Sequence, residues 1–73
     1  MYRLYVTEYW KIGVNSYEYN YDSREEAHAY IERHIFDSFY PAFTYVICNV
    51  TDGKYECIEM GGKDRDGRKL LCA

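Results

Sequence analysis

The sequence has few of the residues on which catalytic and metal sites depend. Its three cysteines, Cys48, Cys57 and Cys72, are spaced nine and fifteen residues apart, which is not a zinc-binding pattern. Its two histidines fall on different faces of a predicted helix, with His34 partly buried and His28 in solvent, so a shared metal is not expected. No glycine-rich loop with phosphate-binding spacing is present. The sequence therefore predicts no catalytic residue, no metal and no cofactor, and we expect a protein that is not an enzyme.

Long apolar runs are also missing. The longest uncharged stretch, residues 38–51, is shorter than the roughly 20 residues that a membrane helix needs. No basic start leads into an apolar segment, as it does in a signal peptide. We therefore expect a soluble, cytoplasmic protein without membrane contact. That setting favours reduced thiols at Cys48 and Cys57, although two directly opposed cysteines also have the spacing for a disulfide.

Aromatic and acidic residues, in contrast, are plentiful. Ten of the 73 residues are Tyr, which is too aromatic a composition for a disordered chain. Residues 1–62 carry five Lys or Arg and ten Asp or Glu, a balance of −5, whereas residues 63–73 carry four and two, a balance of +2. An acidic body repels nucleic-acid phosphates and suits a partner with a basic surface, although solubility alone also explains such a charge. We expect a protein partner and no direct nucleic-acid binding.

The first half of the chain predicts a hairpin followed by a helix. Residues 1–11 and 16–21 alternate in polarity as strands do, and turn residues separate them. Glu8 interrupts the apolar parity of the first strand and predicts a bulge or an edge position there. Ser23 and Glu26 form a capping box at the start of a helix. The apolar stripe of this helix comprises Ala27, Tyr30, Ile31, His34 and Ile35.

The second half predicts another hairpin. Residues 42–51 are apolar on both parities, Asp52-Gly53 is a strong two-residue turn signal, and residues 54–60 return as a strand. The predicted fold is α+β, a four-stranded antiparallel sheet with one helix on one face in the order β-β-α-β-β. We place this single domain at residues 1–62. Residues 63–73 then form a polar, basic C-terminal tail or a short extra strand, which would be the fifth.

One helix can cover only one face of such a sheet, so the other face is predicted to be open. The two-residue loop pairs Cys48 with Cys57 and Ile47 with Ile58. We assign Leu4, Val6, Trp10, Tyr17, Tyr19, Val46, Cys48, Val50, Tyr55 and Cys57 to the covered face. Glu8 and Glu59 also fall on that face, which leaves the inverse assignment open. Tyr is a favoured anchor in protein interfaces. The predicted partner-binding residues are Tyr5, Tyr9, Tyr45, Ile47 and Ile58 on the open face, with Glu25 and Glu32 of the helix as acidic contacts.

Two segments carry a resemblance at the level of architecture. The strand, cap and helix lie in YEYNYDSREEAHAYIERHI, and the closing hairpin lies in TYVICNVTDGKYECIEM. A chain arranged in this way resembles the small phage-encoded anti-defence proteins, of which the anti-CRISPR inhibitors are the best-known group. The resemblance implies a non-enzymatic inhibitor or adaptor that docks on a nucleic-acid-handling complex in the cytoplasm of a bacterial host. A self-assembling, homodimeric structural protein and a nucleic-acid-binding module stay open as alternatives.

Overall fold

The two predicted hairpins join into one antiparallel sheet. The structure, a computed structural model, describes residues 1–36 and 42–71. Five strands lie in the order β2-β1-β3-β4-β5, so the predicted α+β class is confirmed and the fifth strand is formed. The strands are β1 (Tyr2–Trp10), β2 (Gly13–Tyr21), β3 (Phe43–Thr51), β4 (Lys54–Lys63) and β5 (Lys69–Leu71).

The helix begins where the capping box predicts. Helix α1 spans Arg24–Tyr30 and continues as a π-helical segment over Ile31–Ile35. The Ser23 hydroxyl accepts a hydrogen bond from the backbone N–H of Glu26 at 3.2 Å. This bond satisfies one of the amides that a helix start leaves without a partner. The Ser23 cap thus determines where β2 ends and the helix that packs on the sheet begins.

The core lies between this helical layer and one face of the sheet. Ala27, Ile31 and Ile35 are fully buried, as the predicted stripe requires, whereas Tyr30 is half-buried. The prediction of a partly buried His34 is wrong, because its side chain is exposed and its ring lies 4.8 Å from that of Tyr30. The sheet contributes Leu4, Val6, Phe43, Tyr45 and Ile47 to the same cluster.

The second hairpin turns at the predicted residues but has a bulge. Asp52 and Gly53 have φ angles of 51° and 78°, the two positive values of a type I′ turn. Pairing proceeds as predicted as far as Cys48 and Cys57. The predicted pairing of Ile47 with Ile58 is wrong, because the register shifts between Ile47 and Cys48 and Ile47 opposes Glu59 instead. Ile58 is the extra residue of this bulge.

The second hairpin presents the opposite face to the helix from the one predicted. In the β1–β3 pairing, Leu4 opposes Ile47 and Val6 opposes Tyr45. Opposed residues share a face of the sheet, so the odd-numbered residues of β3 lie beneath the helix with Leu4 and Val6. The assignment of Val46, Cys48, Val50, Tyr55 and Cys57 to the covered face is therefore wrong. Because β3 is apolar on both parities, its sequence allows either set of alternate residues to face the helix. Packing selects the set with the larger side chains for the core.

Glu8 does not mark a bulge or an edge. It lies in an unbroken register between β2 and β3, where it opposes Asn15 and Phe43. Its side chain is buried and accepts hydrogen bonds from Trp10 Nε1 at 3.1 Å and Asn15 Nδ2 at 3.3 Å. Hydrogen bonding of this kind is what makes a buried carboxylate tolerable. The prediction failed because Trp10 and Asn15 supply hydrogen bonds to the Glu8 carboxylate, so the strand can bury it without a bulge.

The segment after residue 62 belongs to the sheet. Strand β4 runs through Lys63, and β5 pairs with its last three residues. Asp64 shapes the connection, since its Oδ1 accepts from the backbone N–H groups of Asp66 at 3.0 Å and Arg68 at 2.9 Å. Residues 72 and 73, including Cys72, lie outside the described residues. In residues 1–36 and 42–71, no helix has both the length and the apolar character needed to cross a bilayer.

Candidate functional site: the open face of the sheet

The face of the sheet away from the helix carries a mixed aromatic, aliphatic and polar surface. Its members follow from the strand registers and from the burial of Leu4, Val6, Tyr45 and Ile47 on the other side. We call this surface the open face. It comprises Arg3, Tyr5, Thr7, Tyr9, Val14, Ser16, Glu18, Asn20, Thr44, Val46, Cys48, Val50, Tyr55, Cys57 and Met60.

Arg3 lies among polar and aromatic partners on this face. Its Nη1 donates to the Tyr55 hydroxyl at 2.9 Å, and its guanidinium carbon lies 5.5 Å from the centroid of that ring. Its Nε donates to Asn20 Oδ1 at 2.9 Å and lies 4.0 Å from the Glu18 carboxylate. A side-chain hydrogen bond with Tyr5 raises the pKa of Arg3. These contacts, from β1, β2 and β4, hold the planar, charged group of Arg3 in a defined position.

Large side chains along the open face reach solvent. Tyr55 is 55% exposed, Met60 42% and Tyr9 39%. Val46 and Val50 are half-buried opposite Met60 and Tyr55. Aromatic residues, Met and Arg are the side chains enriched at the centres of protein interfaces. The open face therefore has the composition of a protein-contact surface.

Two thiols face each other on the open face. Cys48 and Cys57 are directly opposed, and both are free. The backbone N–H of Val50 donates to the carbonyl oxygen of Met1, the residue before β1, at 2.7 Å. The even-numbered residues of β3 therefore direct their backbone groups towards β1 and away from β4. Cys48 and Cys57 therefore form a non-hydrogen-bonded pair, the closer of the two antiparallel pair types. Burial raises the pKa of the Cys48 thiol, which favours its protonated form.

The structure divides the seven predicted contact residues among three places. Tyr5 and Tyr9 lie on the open face, half-buried and exposed respectively. Placing Tyr45 and Ile47 there is wrong, because both are buried in the core beneath the helix. Placing Ile58 there is also wrong, because the bulge turns it towards the same core.

The two predicted acidic contacts lie on the helical layer, on the other side of the sheet. Glu25 is exposed on α1. Glu32 is half-buried, with its carboxylate 3.6 Å from Lys69 Nζ and 3.5 Å from His28 Nε2. Neither residue can join Tyr5 and Tyr9 in contact with one flat partner surface, because the sheet separates them.

Sequence reasoning missed a polar cluster centred on Glu59. Its Oε2 accepts from the Tyr45 hydroxyl at 2.7 Å and lies 2.9 Å from His28 Nδ1, while its Oε1 accepts from Arg24 Nη2 at 2.9 Å. Burial raises the pKa of Glu59, but the hydrogen bonds from Tyr45, Arg24 and His28 outweigh it and leave the pKa below its ordinary value. Burial and the bond to Glu59 raise the pKa of Tyr45. His28, predicted to lie in solvent, is 45% exposed and also contacts Glu59. The available signal was that Glu59 falls on the face assigned to the helix, where a carboxylate needs partners.

The Glu59 cluster connects the helix to the sheet. Arg24 and His28 lie one helical turn apart on α1, and both reach β4 through this carboxylate. Its bonds are satisfied within the fold, which is what a structural carboxylate requires. The chain matches no protein-family model, no curated protein and no solved structure. The open face and the Glu59 cluster are therefore interpreted from their own geometry.

Proposed function

We propose that the chain is a non-enzymatic, protein-binding inhibitor or adaptor that docks through its open face. The observation that carries the proposal is the exposure of Tyr9, Tyr55 and Met60 on the sheet face that no helix of the described residues covers, with Arg3 held against Tyr55. Tyr and Arg are enriched among the residues that carry most of the binding energy in protein interfaces, and Tyr buries a large area with few rotatable bonds. A rigid sheet also presents them with little ordering cost on binding.

The charge of this face favours a protein partner over nucleic acid. The open-face set contains one cation, Arg3, and one carboxylate, Glu18, which lie 4.0 Å apart. A nucleic-acid surface instead needs several unpaired cations along the phosphate backbone. The net charge of −3 favours approach to a partner with a basic surface, whereas the contact itself is aromatic and aliphatic.

The biological role that we propose is anti-defence activity of the anti-CRISPR type in a bacterial cytoplasm. A small, acidic, sheet-based domain with one aromatic face suits occlusion of a nucleic-acid-handling complex, because binding alone blocks such a complex. Expression in bacteria that carry a defence system tests this role through the plating efficiency of a targeted phage. Rescue of plating supports an inhibitor, and unchanged plating against a panel of defence systems contradicts it.

The docking surface is tested by a double truncation, Tyr55→Ala with Met60→Ala. Neither side chain belongs to the core, so we expect a folded protein whose affinity for its partner falls at least about tenfold. The tagged chain first captures its partner from a bacterial lysate, and affinity is then measured with the purified partner. The matched control is Ile12→Ser, since Ile12 is almost fully exposed at the tip of the first hairpin and lies outside the open face. Unchanged affinity in the double variant would exclude the open face as the docking surface.

A further inference from the structure

Strand β2 is a long sheet edge whose one charged residue is Glu18. It spans nine residues, pairs with β1 without interruption and contains neither Lys nor Pro. Bulges, lysines and prolines are the usual devices that keep an edge from pairing with another chain. The opposite edge strand, β5, has three residues. Within the described residues, no strand covers the outer side of β2.

The backbone groups on this outer side belong to the even-numbered residues. The N–H of Tyr9 donates to the carbonyl of Ala42 at 3.0 Å, so the odd-numbered residues of β1 direct their backbone groups towards β3. The even-numbered residues of β1 then face β2, where Val6 opposes Tyr17. The odd-numbered residues of β2 thus bond to β1. The residues that present N–H and C=O groups outwards are Val14, Ser16, Glu18 and Asn20.

These four residues are self-complementary in one register. Antiparallel pairing about a two-fold axis at Tyr17 places Ser16 opposite the partner's Glu18 and Val14 opposite the partner's Asn20, so all four take part. A two-fold axis at Glu18 would instead place two carboxylates directly opposite each other, which is destabilising. An axis at Ser16 would leave Asn20 without an opposed residue.

The side chains on the helix side of the sheet fit the same register. Gly13 would lie opposite the partner's Tyr21, and a Cβ at Gly13 would meet no atom within 4 Å, so the strand has open space there. An aromatic ring opposite a glycine can lie across that glycine. The partner's Tyr21 would then lie across Gly13 towards Trp10, which pairs with Gly13 and is 41% exposed. The exposed aromatic residue next to the hairpin tip thus meets an aromatic residue of a second copy. This match favours a second copy over an unrelated strand.

We propose that two copies of the chain pair through β2 in this register and join their sheets into one continuous antiparallel sheet. The two-fold axis stands perpendicular to the sheet, so both helices lie on one side and both open faces on the other. The pairing goes beyond the proposed function because it uses the edge and leaves each open face free. It presents two docking surfaces side by side, which suits a partner with repeated subunits.

Light scattering of the full chain tests the dimer. Over about 1 to 100 µM, we expect the mass to rise to twice the 8.8 kDa of one chain. Ser16→Pro removes an N–H that points away from β1, so we expect a folded monomer with an unchanged circular dichroism spectrum. The control, Ser16→Ala, keeps that N–H and should stay dimeric. A wild-type monomer at the highest concentration, or a dimer that Ser16→Pro leaves intact, would overturn the proposal.

A charge pair tests the register even if the proline variant does not fold. Ser16→Lys places an ammonium group opposite the partner's Glu18 at two symmetric sites, whereas Ser16→Glu places a carboxylate there. We expect a dimer dissociation constant about tenfold lower for the lysine variant than for the glutamate variant. Equal constants would refute this register. Loss of the dimer in the Tyr55→Ala, Met60→Ala variant would place the contact on the open face and refute edge pairing. The two proposals can fail separately, because the Tyr55→Ala, Met60→Ala variant should stay dimeric although it loses affinity for the proposed partner.

Discussion

Glu59 holds the N-terminal half of α1 against β4 through side chains from two elements. Arg24 and His28 reach it from the helix, and Tyr45 reaches it from the neighbouring strand. Hydrogen bonds to a charged acceptor contribute more than neutral ones, and they strengthen where water is excluded. In a domain with one short helix, this carboxylate is therefore a main determinant of how the helix lies on the sheet.

Glu59→Gln should destabilise the domain in a pH-dependent way. At neutral pH we expect a loss of about 1–3 kcal/mol in the free energy of unfolding, because a neutral acceptor replaces the carboxylate. Folding lowers the pKa of Glu59 from its ordinary value of 4.5. Its contribution is therefore complete above pH 4.5 and is lost as the pH falls through the folded-state pKa.

The difference in the free energy of unfolding between the wild type and Glu59→Gln should therefore become smaller as the pH falls. Urea denaturation at pH 7 and at about pH 3 measures both values. The control is Glu56→Gln, an exposed carboxylate on the same strand, which should change stability little at either pH. A gap that widens on acidification would contradict the assigned role of Glu59.

At the scale of elements, local chemistry predicts the second hairpin and the helix start well. The first turn was predicted within residues 12–15 but lies at Lys11 and Ile12, so β2 already begins at Gly13. The Asp52-Gly53 turn and the Ser23 cap each depend on residues within a few positions, and both form as predicted. The face that β3 presents to the helix depends on packing between distant segments. Since β3 is apolar on both parities, its sequence pattern cannot distinguish the two faces. Tyr45 and Ile47 were misplaced for this reason.

The bulge in β4 explains why Ile58 was also misplaced. A two-residue loop fixes the register next to the turn, but one extra residue resets the alternation beyond it. After the bulge, Glu59 faces the helix and Met60 faces the open side opposite Val46. No local turn residue marks this position. The bulge therefore determines both the Glu59 cluster and part of the open face, and neither could be predicted from alternation.

Close approach of β3 and β4 makes Gly62 a sensitive position. A Cβ at Gly62 would collide with the backbone carbonyl oxygen of Phe43, whereas a Cβ at Gly13 would meet no atom within 4 Å. Gly62→Ala should therefore cost about 1–3 kcal/mol or more, because backbone must move to admit the methyl group. Gly13→Ala is the matched control and should cost far less. Thermal unfolding of the two variants decides, and equal melting temperatures would contradict the β3–β4 spacing.

At the scale of the whole molecule, the two sides of the sheet differ in charge and in accessibility. The helical side carries Glu25 and Glu32, while the open face is nearly neutral and aromatic. Composition predicted the acidic character and the aromatic surface, but it could not show that the sheet separates them. A partner that binds the open face therefore meets Tyr9 and Tyr55 directly and experiences the helix carboxylates only as a long-range field.

The assignment of the two faces is tested most directly by truncating one tyrosine on each. Tyr45→Ala removes a buried ring and its bond to Glu59, so we expect a loss of about 3–5 kcal/mol or outright unfolding. Tyr55→Ala removes a ring that is 55% exposed, so we expect a loss of about 1 kcal/mol or less. Chemical denaturation of both variants under the same conditions gives the comparison. A stable Tyr45→Ala together with a strongly destabilised Tyr55→Ala would show that the helix covers the face described here as open.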